Sequence, residues 1–208
     1  MVINMIELKN ITTGYDKNKP LKKDFTFTFE NKIYGILGSS GCGKSTLLRT
    51  IAGLIYPLSG EIYIDGKILK KASKNDIYMM HQNYTCFDWL TCIDNILITE
   101  KVKHRRITNK TKENALRWLE RVGLKGYEDK YPTQLSGGMK QRLALARTLY
   151  MKPSIILMDE PLSALDEKTR TDMQDLILDI HKETHNTIIM ITHSEDEAYK
   201  MCDEILRF

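Results

Sequence analysis

No run in this 208-residue sequence approaches the roughly 20 consecutive apolar residues that a membrane-spanning helix requires. Met1 to Lys9 also lacks the basic start and long apolar middle of a secretory leader. Both absences predict a cytoplasmic protein. Cysteine is scarce: Cys42, Cys86, Cys92 and Cys202 form neither C-x-x-C pairs nor a regular framework, so reduced thiols are expected and neither zinc nor a disulfide is indicated. A large charge excess is missing too. The formal net charge is +4 and is spread along the chain, apart from Lys101-Val102-Lys103-His104-Arg105-Arg106 followed by Lys110 and Lys112. That run reads as a solvated loop, with an acidic or membrane-surface partner as its alternative. Nucleic acid is not an expected partner. His181 and His185 are four apart on a predicted helix, but Lys182-Glu183-Thr184 between them does not match H-E-x-x-H, and they read as a solvated pair. No internal repeat, low-complexity segment or heptad array is present.

What is present suits one substantial domain, or one domain with an inserted lobe. Phe25, Phe27 and Phe29 alternate with Asp24, Thr26 and Thr28, the period of two that buries one face of an antiparallel strand. Glu61 to Asp65, then Gly66 and Lys67 to Leu69, predict a hairpin turning at Asp65-Gly66. Ile77 to His81 is a further strand. From about Thr91 to Tyr150 the period becomes helical: Ala115, Leu116, Trp118, Leu119 and Val122 mark one helix that Gly123 can close in a left-handed conformation. Another helix follows Ser136-Gly137-Gly138. Ile155 to Met158 and Thr187 to Ile191 are continuous apolar runs of the kind buried on both faces of a parallel sheet. Met173, Leu176, Ile177 and Ile180 mark a helix between them. Ser194 and Glu197 predict a capping box before a short helix, and Glu204 to Phe208 a last strand.

Four stretches carry chemistry. Gly38-Ser39-Ser40-Gly41-Cys42-Gly43-Lys44-Ser45 fits G-x-x-x-x-G-K-[ST] between a short apolar strand, Ile33 to Leu37, and a helix from Lys44. Its glycines let backbone N–H groups curl around phosphate oxygens, Lys44 supplies a point charge and Ser45 offers a hydroxyl to Mg2+. Asp159 and Glu160 end a buried strand, at the edge where open α/β sheets bind ligands. Asp159 is placed to hold Mg2+ through a water, and Glu160 to take a proton from an attacking water. His193 follows the next apolar strand and should reach the same edge as a γ-phosphate sensor. Ser136, Gly137 and Gly138 form a second anion-receptive helix start.

The stretch Leu135-Ser136-Gly137-Gly138-Met139-Lys140-Gln141-Arg142 resembles the signature motif of the ATP-binding-cassette (ABC) family. The resemblance runs from Tyr15 to the last strand. It makes Gly38 to Ser45, with Thr46, the Walker A loop that binds ATP, and Gln82 the Q-loop glutamine, catalytic and a metal ligand. Asp159 and Glu160 become Walker B and catalytic base, Ser163-Ala164-Leu165-Asp166 the D-loop, with Asp166 at the nucleotide, and His193 the switch histidine. Tyr15 stands where the family stacks an aromatic on adenine; otherwise it is an exposed turn tyrosine. The implied fold is α/β: a P-loop NTPase core with a mostly parallel sheet, an N-terminal antiparallel β part and an inserted helical subdomain. One ATP-binding domain would fill 1–208, with core 1–82 and 153–208 and helical subdomain about 83–152.

The implied activity is ATP hydrolysis that powers transport. Two copies, or this chain and a paired subunit, would close head to tail on ATP, with Ser136 and Gly138 of one meeting the phosphate held by Lys44 of the other. Integral membrane permease subunits are the implied partners, with a solute-binding protein as a further one, which puts the protein on the inner face of the cell membrane. Phe87 to Ile96 and Met139 resemble the ATPases of nitrate, sulfonate and taurine importers, pointing to a small anion or organosulfur-type solute. An exporter or lipoprotein-release ATPase is the alternative. Tyr84, Phe87, Trp89 and Leu90 form an aromatic cluster that suits either a groove for a permease helix or a hydrophobic seam joining two lobes. Because the sequence ends at Phe208, no added regulatory domain is expected within it, and whether the chain is complete there is left open.

Overall fold

The computed structural model describes residues 5–69, 77–81 and 86–208. In chain order the elements are strands β1 (Met5–Thr13), β2 (Lys22–Glu30) and β3 (Ile33–Leu37), helix α1 (Lys44–Ile51), strands β4 (Ser59–Ile64), β5 (Lys67–Ile68) and β6 (Ile77–Met80), and helices α2 (Cys92–Val102), α3 (Asn109–Arg121) and α4 (Gly137–Tyr150). Strand β7 (Ile155–Asp159), helix α5 (Glu167–Thr184), strand β8 (Thr187–Ile191), helix α6 (Glu195–Met201) and strand β9 (Glu204–Arg207) complete the chain. By contacts the residues fall into two units. One comprises Met1–Met79, Pro153–Glu160 and His181–Phe208; the other comprises Met80–Lys152 and Pro161–Ile180.

The first unit holds two sheets. One is antiparallel, in the order β2-β1-β4-β5. The predicted alternation of β2 is realised against β1, with Phe29 opposite Ile6, Phe27 opposite Leu8 and Phe25 opposite Ile11. Phe27 and Phe29 both meet Tyr34 edge-on, at ring centroids of 5.8 and 4.8 Å, the arrangement aromatic quadrupoles prefer. The β4–β5 hairpin turns at Asp65 and Gly66, with φ of +48° and +74°. Two successive positive φ values match the twist of the flanking strands, and Asp-Gly tolerates them.

The other sheet has the order β6-β7-β8-β3-β9. Strands β3 and β8, β3 and β9, and β7 and β8 pair in parallel. Every residue of β3, β7 and β8 is buried, which explains why these strands read as unbroken apolar runs. Helix α6 packs on β3 at close range: a Cβ on Gly35 would stand 2.8 Å from Cys202 Sγ.

The second unit is helical. Its core includes Ile96, Leu97, Trp118, Leu119, Val122, Leu143, Leu145 and Leu149, each of the larger side chains worth about 1.5–3 kcal/mol when fully buried. Gly123 follows α3 at φ +67°, as predicted, and Leu124 N–H closes the helix end on the Leu119 carbonyl. The basic run leaves α2 through a left-handed turn at His104, and Arg105 lies 3.8 Å from Glu100. Asn95 is fully buried and ties down the segment before α2. Its Nδ2 donates to the carbonyls of Phe87, Leu90 and Thr91, and its Oδ1 accepts the Phe87 N–H at 2.8 Å. No periodic pattern marks such a residue.

His181 and His185 do not share a helical face. Helix α5 ends at Thr184, and His185 turns left-handed at φ +50° while its N–H closes the last turn on the His181 carbonyl. His181 instead pairs with Asn186 Oδ1 through Nδ1, at 3.2 Å.

Candidate active site

In the first unit, the loop between β3 and α1 wraps a cationic centre. Lys44 is buried, and its Nζ donates to the carbonyl oxygens of Gly38 at 2.7 Å and Ser39 at 2.8 Å, with Cys42 Sγ at 3.9 Å. The chain enters α1 through Gly43 at φ +101°, where a Cβ would come within 2.8 Å of Leu21 Cβ. A side chain there is excluded by both conformation and space. No acidic residue occupies the first turn of α1, so its positive end is left for an anion.

Two further strands bring their ends to this loop. Asp159, the last residue of β7, accepts a hydrogen bond from Ser45 Oγ at 3.0 Å. A hydroxyl and a carboxylate oxygen at that separation are the hard donors Mg2+ takes. Glu160 carries the chain out of the strand at φ +53°, and its N–H bonds to the Ile191 carbonyl at 3.1 Å. A non-glycine residue held left-handed costs on the order of 1–3 kcal/mol and is typical of functional positions. Its carboxylate meets His193 Nε2 at 2.8 Å. The predicted cluster of Lys44, Ser45, Asp159, Glu160 and His193 is thus assembled in one unit.

Tyr15 is 67% exposed. Its hydroxyl accepts a hydrogen bond from Arg49 Nη1 at 3.1 Å, so α1 steadies the aromatic ring from beyond the phosphate loop. In the sequence nothing marks Arg49, because its helical spacing does not distinguish it. Gln82 and Tyr84 lie outside the described residues.

The second unit presents Ser136, Gly137 and Gly138 at the start of α4. Ser136 Oγ accepts the Met139 N–H at 3.2 Å, and there is open space where a Cβ of Gly137 would stand. Gly138 is closely covered, since its Cβ would stand 3.2 Å from the Ala164 carbonyl oxygen. Gln141, fully buried on α4, accepts the Ala164 N–H at 3.1 Å. Arg170 Nη2 holds the Leu165 carbonyl at 2.6 Å. The segment from Ser163 to Asp166 is therefore clamped from both α4 and α5. Asp166 accepts the Thr169 N–H at 3.0 Å as a cap on α5, and that bond holds its carboxyl below the usual carboxylate range.

A family model for ABC transporters matches residues 23–163. The chain is 43% identical over 171 residues to an aliphatic sulfonates import ATP-binding protein of Bacillus thuringiensis, covering 82% of this chain and 66% of that protein. It is 41% identical over 208 residues to a spermidine/putrescine import ATP-binding protein of Spiroplasma citri, covering 99% of this chain and 59% of that one. The chain thus spans roughly three fifths to two thirds of the length of these relatives. Among solved structures, a dimeric post-hydrolysis ATP-binding cassette bound to ADP and Pi superposes with a TM-score of 0.88 at 29% identity, covering 98% of this chain and 94% of that one. On this family match and these relatives, the chain belongs to the ABC transporter family, whose ATP-binding cassettes are ATPases.

Proposed function

We propose that this chain is the ATP-hydrolysing subunit of an importer, working as a pair of copies on the inner face of the membrane beneath separate permease subunits. The observation that carries this reading is the assembly of Lys44, Ser45, Asp159, Glu160 and His193 around one loop. ATP lies with its phosphates on the Gly38 to Thr46 loop and its adenine on Tyr15. Lys44 exchanges its two carbonyl partners for phosphate oxygens. Ser45 and Asp159 would hold Mg2+, with Gln82 as a further ligand, and the ion would supply positive charge against the phosphates. Glu160 takes the proton of the attacking water. His193 shares its Nε2 proton between the Glu160 carboxylate and the γ-phosphate. Ser136, Gly137 and Gly138 of the second copy close over that phosphate, so ATP bridges the pair and hydrolysis releases it. Closure is driven by the better binding of ATP to the closed state.

For the solute, the 43% identity to the sulfonate importer subunit supports a small organosulfur-type anion. The 41% identity to the spermidine/putrescine importer subunit favours polyamine as the second reading. Trp89, 74% exposed and 5.3 Å from Phe87, offers an aromatic anchor for a permease helix. Phe87 in turn lies under the Arg147 guanidinium, 4.9 Å from its ring centroid. The test is to co-purify the membrane subunits, reconstitute them with this chain in vesicles and follow ATP-dependent uptake of an alkanesulfonate and of putrescine. Sulfonate uptake that falls in Trp89→Ala while basal hydrolysis persists is expected. Putrescine uptake alone would replace the solute reading, and no ATP-dependent uptake of any solute would overturn the importer reading.

A further inference from the structure

His193 sits on the turn Thr192 to Ser194, between β8 and α6. Ser194 caps α6, its Oγ accepting the Glu197 N–H at 3.2 Å. A reciprocal capping box would return the Glu197 carboxylate to the Ser194 N–H. Here the Thr192 hydroxyl intervenes: Oγ1 accepts the Ser194 N–H at 3.1 Å and donates its own proton to Glu197 Oε2. The three bonds tie Thr192, Ser194 and Glu197 into a ring that holds both chain neighbours of His193. Thr192 is 3% and Glu197 7% exposed, so the ring is sheltered from water, which strengthens its hydrogen bonds. Its base is fixed as well, because α6 packs closely on β3: a Cβ added at Gly35 would stand 3.5 Å from Ala198 Cβ. The imidazole projects from this frame, with its side chain 47% exposed, and reaches Glu160 Oε1.

We infer that Thr192 and Glu197 are positioning residues that hold the His193 imidazole against Glu160. A half-exposed side chain on a free turn samples several rotamers; fixing the turn prepays part of that entropy before substrate arrives. The kinetic consequence rests on the proposed role of His193, whereas the spectroscopic one does not.

The test uses the full chain with isotopically labelled histidine, the His193 ring signals being assigned by their loss in His193→Ala. In Thr192→Val, which keeps the side-chain shape and removes the hydroxyl, the His193 ring signals are expected to move toward those of a free histidine. The turnover number should fall about tenfold with KM within about twofold. Thr192→Ser should restore both. Glu197→Gln, which keeps an acceptor for the Thr192 hydroxyl, should stay near wild type, and Glu197→Leu should reproduce the valine effect and stand in for it should that variant not fold. Unmoved His193 signals in Thr192→Val and Glu197→Leu, or a serine variant that behaves like valine, would overturn the inference. Wild-type turnover in His193→Ala would instead remove the γ-phosphate role, while the ring signals still decide the positioning.

Discussion

Helix α1 is entered through Gly43 and has no side-chain cap, whereas α4 is entered through Ser136, whose hydroxyl accepts the Met139 N–H. Neither helix has an acidic residue in its first turn, so both keep the partial positive charge of their N-termini. They differ in what completes them. Around α1 the missing cap is matched by a buried lysine that now satisfies itself on two backbone carbonyls, an arrangement that an anion can replace bond for bond. Around α4 the helix end has its own cap, and the clamp of Gln141 on Ala164 keeps its surroundings in place without any ligand. In the function proposed above, the first holds nucleotide within its own chain, and the second meets a nucleotide held by the other copy.

The largest expected effect comes from obstructing that surface. Ser136→Arg should abolish turnover while nucleotide affinity of the monomer, followed by fluorescent-ATP titration, stays nearly unchanged. An equal loss of affinity in monomer would mean that α4 acts on nucleotide within its own chain. Glu160→Gln should slow hydrolysis by about 10²–10⁴-fold. Because the phosphate contacts survive, it should also accumulate an ATP-bound dimer, read by gel filtration at high concentration; a monomer there would remove the shared-nucleotide account.

Thiol chemistry sharpens the comparison further. Burial pushes the Cys86 and Cys92 thiols up to about 11 and the Cys202 thiol up to about 12, so near neutral pH all three stay protonated and slow to react. Cys42, in the phosphate loop with Lys44 Nζ 3.9 Å from its sulfur, should therefore be the first target of maleimide, with ATP protecting it. Peptide mapping that finds Cys86 or Cys202 modified first would contradict this. The smallest effect is on stability. Ser136→Ala should cost about 1 kcal/mol through the lost cap and Ser136→Gly only a few tenths, measured by urea unfolding.

Much of the fold was legible because its signals are local. The alternation of Phe25, Phe27 and Phe29 needs no partner to be read, and the apolar runs of β7 and β8 announce a strand buried on both faces. The phosphate loop and carboxylate pair were legible for the same reason, being short patterns of fixed spacing. Residues that act through distant partners were not. Arg49 steadies Tyr15 from 34 positions away, Gln141 reaches Ala164 across 23, and Asn95 gathers carbonyls from a turn without periodicity. The capping box at Ser194 was half right: the serine caps as its spacing implies, but the returning carboxylate is taken by Thr192, a contact that depends on how β8 ends. His185 misled because helical spacing was extended past a left-handed residue.

The contrast between the two tryptophans has a practical use. Trp118 is 3% exposed beneath the Arg121 guanidinium, 4.7 Å from its ring, and Trp89 is 74% exposed. The intrinsic emission of the protein should therefore resolve into a blue component closed to iodide and a red component open to it. The red one would report on the surface proposed to meet the permease, so an unlabelled chain would carry its own optical probe of docking.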